Sequence, residues 1–572
     1  MATKKKLLQA AAGQAGGAGL DVDEVFSNYL YTGNGSTQTI TNGIDLAGEG
    51  GLVWIKSRTG TTDHWLSDSE RAYTTRFLRT NLTNAEANNN ASVTSYSADG
   101  FSVGSASAVN TNNQDYASWT FRKAEKFFTC LTYTGDGTVG RDISHNLGSK
   151  PGCVIVKKTS GSEGWFVSHR GYNSGLNTGY LNMTNAFIAG TSTEIPVYYA
   201  TDTTFRVSNI SGQSYANTNG ATYVAYLFAH NDGDGDFGPD ADQDIIKCGS
   251  YTGDGGAGTT EVNLGFEPQW ILVKASSAAD NWFIIDNMRG WATHNNTAND
   301  AYLLPNAANA ESTGGFLDIT STGFKTTLYS NVNVSGREYI YTAIRRGPLA
   351  PPESATDVFA IDTQGSTGDG NEPSYRTTFP VDMVIQKATD GGNGIAADRL
   401  RGTKRLFLND TSAETSYSSG FFDYMNGWRS TTSTYAPSHA YMWKRAPNYM
   451  DVVAFDGGGA GDVVNHNLGV KPDLMMYKRR SATNDWIVYN SIDGANYAMF
   501  LNKTDARESQ IQWWNNTEPT ATNFTTGSKA FSGSTYIAYL FASLAGISKV
   551  GSVTHSGTTN VDCGFSSGAR FV

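Results

Sequence analysis

The chain has 572 residues, of which 39% are hydrophobic, 12% aromatic and only 17% charged, with 63 glycines. One hydrophobic core cannot serve such a length, and the aromatic content excludes a solvated disordered polymer. The formal net charge of −11 disfavours nucleic-acid binding by counterion release, and no apolar run reaches the roughly 20 residues of a membrane span.

Lys4, Lys5 and Lys6 head an Ala/Gly-rich stretch that mimics a signal peptide, but Gln9, Gln14 and several glycines interrupt it. A helix is expected over residues 7–12 and a weaker one over 21–26, with Asp21 as its cap. Residues 1–26 read as an N-terminal arm.

From there a pattern recurs along the chain. Tyr31-Thr-Gly-Asn-Gly35, Tyr133-Thr-Gly-Asp-Gly137 and Tyr251-Thr-Gly-Asp-Gly255 open three units, with weaker openers at 359–365 and 455–458. A buried strand ending in lysine follows each opener, marked by Lys56, Lys157, Lys274, Lys387 and Lys478. Trp165, Trp282 and Trp486 stand eight residues after their lysines, Trp65 nine, and Ile395 takes that place in the fourth unit. Each unit closes on a strand of alternating aromatics, at 116–121, 223–228, 339–344, 441–443 and 536–541. A spacing of about 90 to 120 residues between lysines is too long for a solenoid and fits a small β-domain. The expected fold is therefore all-β: a tandem array of about five lectin-like β-sandwiches at 27–126, 127–230, 245–346, 347–446 and 447–544. An acidic linker lies at 231–244. At 545–572 a sixth opener starts and the sequence stops where its lysine strand should come, as if cut in mid-domain.

The linker supplies the one recognisable ligand spacing, His230-Asn-Asp-Gly-Asp-Gly-Asp-Phe-Gly-Pro239. Asp232, Asp234 and Asp236 alternate with glycines as in calcium loops, but Phe237 and Gln243 stand where an EF-hand needs Gly and Glu. Two readings stay open: a solvated acidic linker, or an ordered divalent cation, with Ca2+ the fitting ion. No cofactor is required. The recurrence of the tryptophans points to sandwich-core packing ahead of sugar stacking, and the lysines read as solvated strand ends. His145 and His466, each before Asn-Leu-Gly, read as turn caps. The four cysteines, Cys130, Cys153, Cys248 and Cys563, are too scattered for a disulfide framework or a paired zinc site and read as free thiols. Neither a nucleophile elbow, a Walker loop, HExxH nor a dinucleotide fingerprint is present, so no catalytic residue is assigned.

The opening Met1-Ala-Thr-Lys-Lys-Lys-Leu-Leu-Gln-Ala-Ala-Ala-Gly13, the phrase Gly265-Phe-Glu-Pro-Gln-Trp-Ile-Leu-Val-Lys274, and Ala229-His-Asn-Asp-Gly-Asp-Gly-Asp-Phe-Gly-Pro239 before Asp244-Ile-Ile-Lys-Cys-Gly-Ser-Tyr-Thr-Gly-Asp-Gly255 resemble the tandem-repeat virion proteins of marine tailed bacteriophages, cyanophages especially. The resemblance covers the repeats, the fourth being the most divergent. It implies a non-enzymatic structural protein of the virion, assembled in the host cytoplasm: a tail fibre or a related tail or decoration component. The implied partners are other virion proteins through the arm, further copies of the chain (a trimer in a fibre), and a host-surface glycan or protein, with neither nucleic acid nor membrane. Two alternatives stay open, a depolymerising tail spike and a bacterial tandem-sandwich adhesin; the repeat spacing speaks against the long β-helix with short rungs usual in the first, and the N-terminus against the secretion signal the second needs.

Overall fold

The computed structural model describes residues 19–190, 195–198, 201–210, 214–256, 260–293, 300–328, 330–363, 373–389, 391–417, 420–430 and 438–572. The helix expected over 7–12 lies outside them. The second helix is the single turn Val22–Val25, where Asp21 and Glu24 form a reciprocal capping box and Val22 and Val25 are fully buried. Leu20 bridges to Phe237, and Phe26 already begins the first strand. The described end of the expected arm is thus part of the fold.

The architecture is all-β, built of tandem β-sandwiches. Five main sheets share one antiparallel order, in which the closing strand lies between the opening strand and the lysine strand, and the tryptophan strand follows. In the first sheet these are Phe26–Thr32, Asp115–Arg122, Gly51–Ser57 and Trp65–Asp68; in the fifth, Met450–Asp456, Thr535–Phe541, Leu474–Arg479 and Ile487–Asn490. A smaller sheet faces each: Gln38–Thr41, Gly100–Val103 and Val93–Ser97 in the first, Val463–Asn465 and Asn523–Thr525 in the fifth. Side chains from both layers meet in a single core, Val53, Ile55 and Trp65 against Ile40, Val93 and Phe101 in the first unit.

The opener motif has a local cause. Its aromatic ring stacks on the first tyrosine of the closing strand, with centroids 5.2 Å apart for Tyr31 and Tyr116, 5.0 Å for Tyr133 and Tyr223, 5.1 Å for Tyr251 and Tyr339, and 5.2 Å for Phe455 and Tyr536. The Asn or Asp of the motif accepts a main-chain N–H two residues on, and the last glycine adopts φ of 70 to 80° (Gly35, Gly137, Gly255), a region that penalises a Cβ. The fourth opener's turn falls outside the described residues.

The described chain forms two compact units. One comprises Met1–Arg289, Ala298–Leu317 and Lys325–Gly347; the other Gly290–Thr297, Asp318–Phe324 and Pro348–Val572. The first thus carries the first three main sheets and the second carries the fourth and fifth. Residues 549–572 carry no strand.

Candidate functional site: the repeat seams and the acidic linker

Within each unit the repeats are joined by seams that reuse one set of positions. Register explains which residues face them. Lys157 pairs with Trp165 and Lys274 with Trp282 across neighbouring strands, so each pair shares a sheet face. That face meets the preceding repeat. Trp165 Nε1 donates to the carbonyls of Arg79 and Leu82 (3.0 and 3.1 Å), Trp282 Nε1 to Tyr180 (2.9 Å), and Trp486 Nε1 to Phe407 (2.7 Å). These tryptophans are buried, as expected, but at repeat junctions and not inside a sandwich. Trp65 is one residue out of step, opposite Ile55, which turns it to the other face. It stacks on Phe77 within the sandwich core, as Ile395 enters the fourth core, and His64 takes the seam position beside the Leu304 main chain.

The reading of the lysines as solvated ends is overturned for four of the five. Lys56, Lys157, Lys274 and Lys478 are at most 1% exposed. Lys157 Nζ donates to Thr83 and Glu163 carbonyls (3.0 and 2.9 Å), and Lys274 Nζ to Thr184, Ala275 and Ala278 (3.2, 2.7 and 3.2 Å). Burial pushes all four ammonium groups down to about 8. Lys157 and Lys274 bind main-chain oxygen of the preceding repeat, at Thr83 and Thr184, whereas Lys56 and Lys478 bind carbonyls of their own repeat, Ser57 and Gly60 or Asn484. Only Lys387, in the fourth repeat, is exposed.

A second recurring element escaped the sequence reading. The residue that pairs with the start of the lysine strand is Asp68, His169, Asp286, Asp398 or Asn490 in successive repeats. Asp68, Asp286 and Asp398 each bind an arginine three residues on (Arg71, Arg289, Arg401) at 2.6 Å. Each also accepts from an aromatic of a neighbouring closing strand: Tyr226 Oη at 2.7 Å, Trp119 Nε1 at 3.0 Å and Tyr539 Oη at 2.8 Å. His169 fills the same place in the second repeat, its Nε2–H donating to Tyr341 O at 3.1 Å while Nδ1 accepts from Gly171. Burial pulls its pKa down to about 3, which keeps the ring neutral. Burial alone would raise the Glu414 carboxyl, but Arg480 and Arg401 beside it hold it below the usual range. The only signal in the sequence was the Asp-x-x-Arg spacing after three of the tryptophan-strand positions.

These contacts run from the first repeat to the second, from the second to the third, and from the third back to the first. In the same cyclic sense the main-chain N–H groups of Glu86, Phe187 and Glu311 donate to the carbonyls of Thr159, Ser276 and Arg58 (3.0, 2.8 and 2.7 Å). The first unit is a closed ring of three sandwiches. Rings of Phe26, Phe121, Phe128, Phe228 and Trp270 cluster where the repeats converge. Within the second unit one such seam joins the fourth and fifth repeats, with Glu414 N–H on Arg480 O at 2.9 Å.

The acidic linker is more ordered than a solvated strand. Asp236 pairs with Lys126 (2.7 Å), and Lys247 lies between Asp232 (3.3 Å) and Asp244 (3.2 Å). The Asp244 carboxylate accepts Gly233 and Gly235 N–H, and Asp234 turns back onto the Asp232 N–H. Phe237 is buried, and Gly19 lies so close that a Cβ there would stand 2.1 Å from Asp236 O. Asp232, Asp234 and Asp236 therefore face different partners, and no group of three metal-ligating side chains converges among the described residues. His145 and His466 each accept, through Nδ1, the N–H two residues on (3.2 and 3.3 Å); in the third repeat Asn263, one position later in the phrase, accepts the Gly265 N–H. Cys130, Cys153, Cys248 and Cys563 are free thiols.

Fold and seams together define a tandem β-sandwich repeat protein whose buried charge lies in its junctions. The chain belongs to the family described as a domain of unknown function, DUF7483, which it matches over residues 21–348 and 445–569. The first stretch runs from the Asp21 cap to the end of the three-repeat ring, and the unmatched 349–444 hold the fourth repeat. No curated protein and no solved structure matches the chain.

Proposed function

We propose that the chain is a non-enzymatic structural protein of a bacteriophage particle, a tail fibre or related tail or decoration component. In this reading its sandwiches form a stiff scaffold and its outer loops contact a host-surface glycan or protein. The observation that carries the non-enzymatic part is the engagement of the buried acids: Asp68, Asp286 and Asp398, which would attract a catalytic reading, are saturated by arginine and aromatic donors at the seams. A general acid or base needs a proton-transfer path to substrate, and a carboxylate sealed between two sandwiches has none. The virion part rests on the resemblance of the opener, linker and lysine-strand phrases. Docking through residues 1–26, with 19–26 anchored in the fold, and self-association through faces other than the seams complete the reading.

Immunogold labelling of purified phage particles with antibody to the chain is the test, with label on the tail expected. Unlabelled particles would remove the proposal. Incubation with host envelope polysaccharide should release no oligosaccharide; steady release abolished by replacing one carboxylate pair would make the chain a depolymerase.

A further inference from the structure

The second unit repeats the seam chemistry of the ring with one member missing. In the first three repeats and the fifth, the closing strand is buried on both faces, and the residue two before its last apolar ring or isoleucine (Trp119, Tyr226, Thr342 and Tyr539, before Phe121, Phe228, Ile344 and Phe541) is at most 3% exposed. In the fourth repeat the closing strand Ser438–Trp443 alternates, with His439 and Tyr441 half-buried, and Lys387 is exposed. This is the side that faces the preceding member in a closed ring.

The fifth repeat shows the complementary gap. Three repeats carry the phrase Tyr180-Leu-Asn-Met-Thr184, Phe407-Leu-Asn-Asp-Thr411 and Phe500-Leu-Asn-Lys-Thr504. In the first two, the carbonyl of the aromatic accepts the next repeat's tryptophan and the carbonyl of the threonine accepts a main-chain N–H from the next repeat, Asp280 or Asn484. Seven residues after the aromatic, Phe187 and Glu414 donate their N–H groups to that repeat. Phe500, Thr504 and Arg507 hold these places in the fifth repeat. Here Leu501 is 45% exposed, where its counterpart Leu181 is 1% exposed.

At the fourth repeat's gap sits Phe571. In the first unit Trp270, the third residue of the lysine strand Pro268–Ala275, packs on Phe26 at 6.0 Å and edge-on to Phe121 at 5.7 Å and 81°. Phe571 packs on Phe359 at 6.0 Å and edge-on to Trp443 at 5.4 Å and 89°, the residues at the same strand positions. It also meets Tyr441 at 5.2 Å and is itself 49% exposed.

We propose that the open side of the second unit is a seat for one further β-sandwich of this repeat class, entering in line behind Phe571, which packs on Phe359 and Trp443 as Trp270 packs on Phe26 and Phe121. Phe571 keys its first strand to Phe359 and Trp443. The incoming lysine and tryptophan address the carbonyls of Thr504 and Phe500, and the incoming loop covers Lys387 and Tyr441.

Grafting residues 272–346 after Val572, so that Val572 stands for Ile271, supplies such a repeat. Amine labelling read by peptide mass spectrometry should modify Lys387 readily in the 572-residue chain and at least about tenfold more slowly in the extended chain. Phe571→Asp in the extended chain should restore labelling. An extended repeat that folds, by protease resistance, while Lys387 labels at the parent rate overturns the proposal. So does protection of Lys387 in the 572-residue chain that grows with protein concentration, which would make a second copy the occupant. If the graft does not fold, the parent chain decides: Phe571→Ala should lower the melting temperature and raise Tyr441 exposure to oxidative footprinting, and no change in either overturns the seat.

Discussion

Asp398 shows at a single residue what the seams cost and return. Its carboxylate accepts from Arg401 and from Tyr539, all fully buried. Asp398→Ala leaves the buried Arg401 guanidinium with only the more distant Glu414, at 3.5 Å and shared with Arg480, and should destabilise the second unit by about 3–5 kcal/mol in urea melts. The Asp398→Leu, Arg401→Met pair should cost clearly less than the sum of its single variants, and additive losses would sink the coupled-pair account. The histidines give the pH dependence. Burial lowers His169 to about 3 and His230 to about 4, and it also lowers His64, His145 and His466. The unfolded chain takes up these protons near pH 6.5, ahead of the folded one, so stability should fall as pH drops from about 6.5 toward 4. Urea midpoints at several pH values check this. His169→Gln should flatten the slope, and a pH-independent midpoint in the parent would refute it.

An element in this fold is defined by what covers its second face. Lysine strands whose ammonium groups reach across a seam should be sensitive: Lys274→Ala removes one buried donor from three carbonyls, of which Thr184 O keeps the Asp280 N–H, a loss of about 1–3 kcal/mol, whereas exposed Lys387→Ala should stay within about 0.5 kcal/mol. Equal effects at both sites would contradict the assignment of seam and open face. The linker is a second such element. A cation at Asp232, Asp234 and Asp236 has to displace Lys126 and Lys247, so titration calorimetry with calcium should give no heat and leave the melting temperature within about 1 °C. Heat that disappears in Asp234→Ala would establish the calcium site instead.

At the scale of the whole molecule, two compact units imply two cooperative transitions in scanning calorimetry. Asp286→Ala, which breaks the seam closing the ring, should lower one of them, and Asp398→Ala the other. A single transition shifted alike by both would show that the chain melts as one body. The ring also changes what a homo-oligomer needs. Three sandwiches already satisfy one another's seams within the first unit, so the seams of that ring are closed to a second chain.

The all-β class, the repeat and the register of its tryptophans could be read from the residues because they depend on local rules. Period-two aromatics, glycine turns with an Asn or Asp acceptor, and a fixed lysine-to-tryptophan distance each follow from backbone geometry within a few residues. The turn-capping His145 and His466 were legible for the same reason. The spacing showed Trp65 one residue out of step with Trp165, but not which face that slip gave it, because the hairpin register that pairs Trp65 with Ile55 is set by the folded sheet. Nor could the sequence show that the lysines are buried, since a strand covered on both sides and one with a solvated end read alike until the covering element is placed. Asp286 meets Trp119 across 167 residues of chain. That separation carries no local signal, and only the tertiary structure, by bringing the third repeat back against the first, turned a scattered Asp-x-x-Arg spacing into a seam.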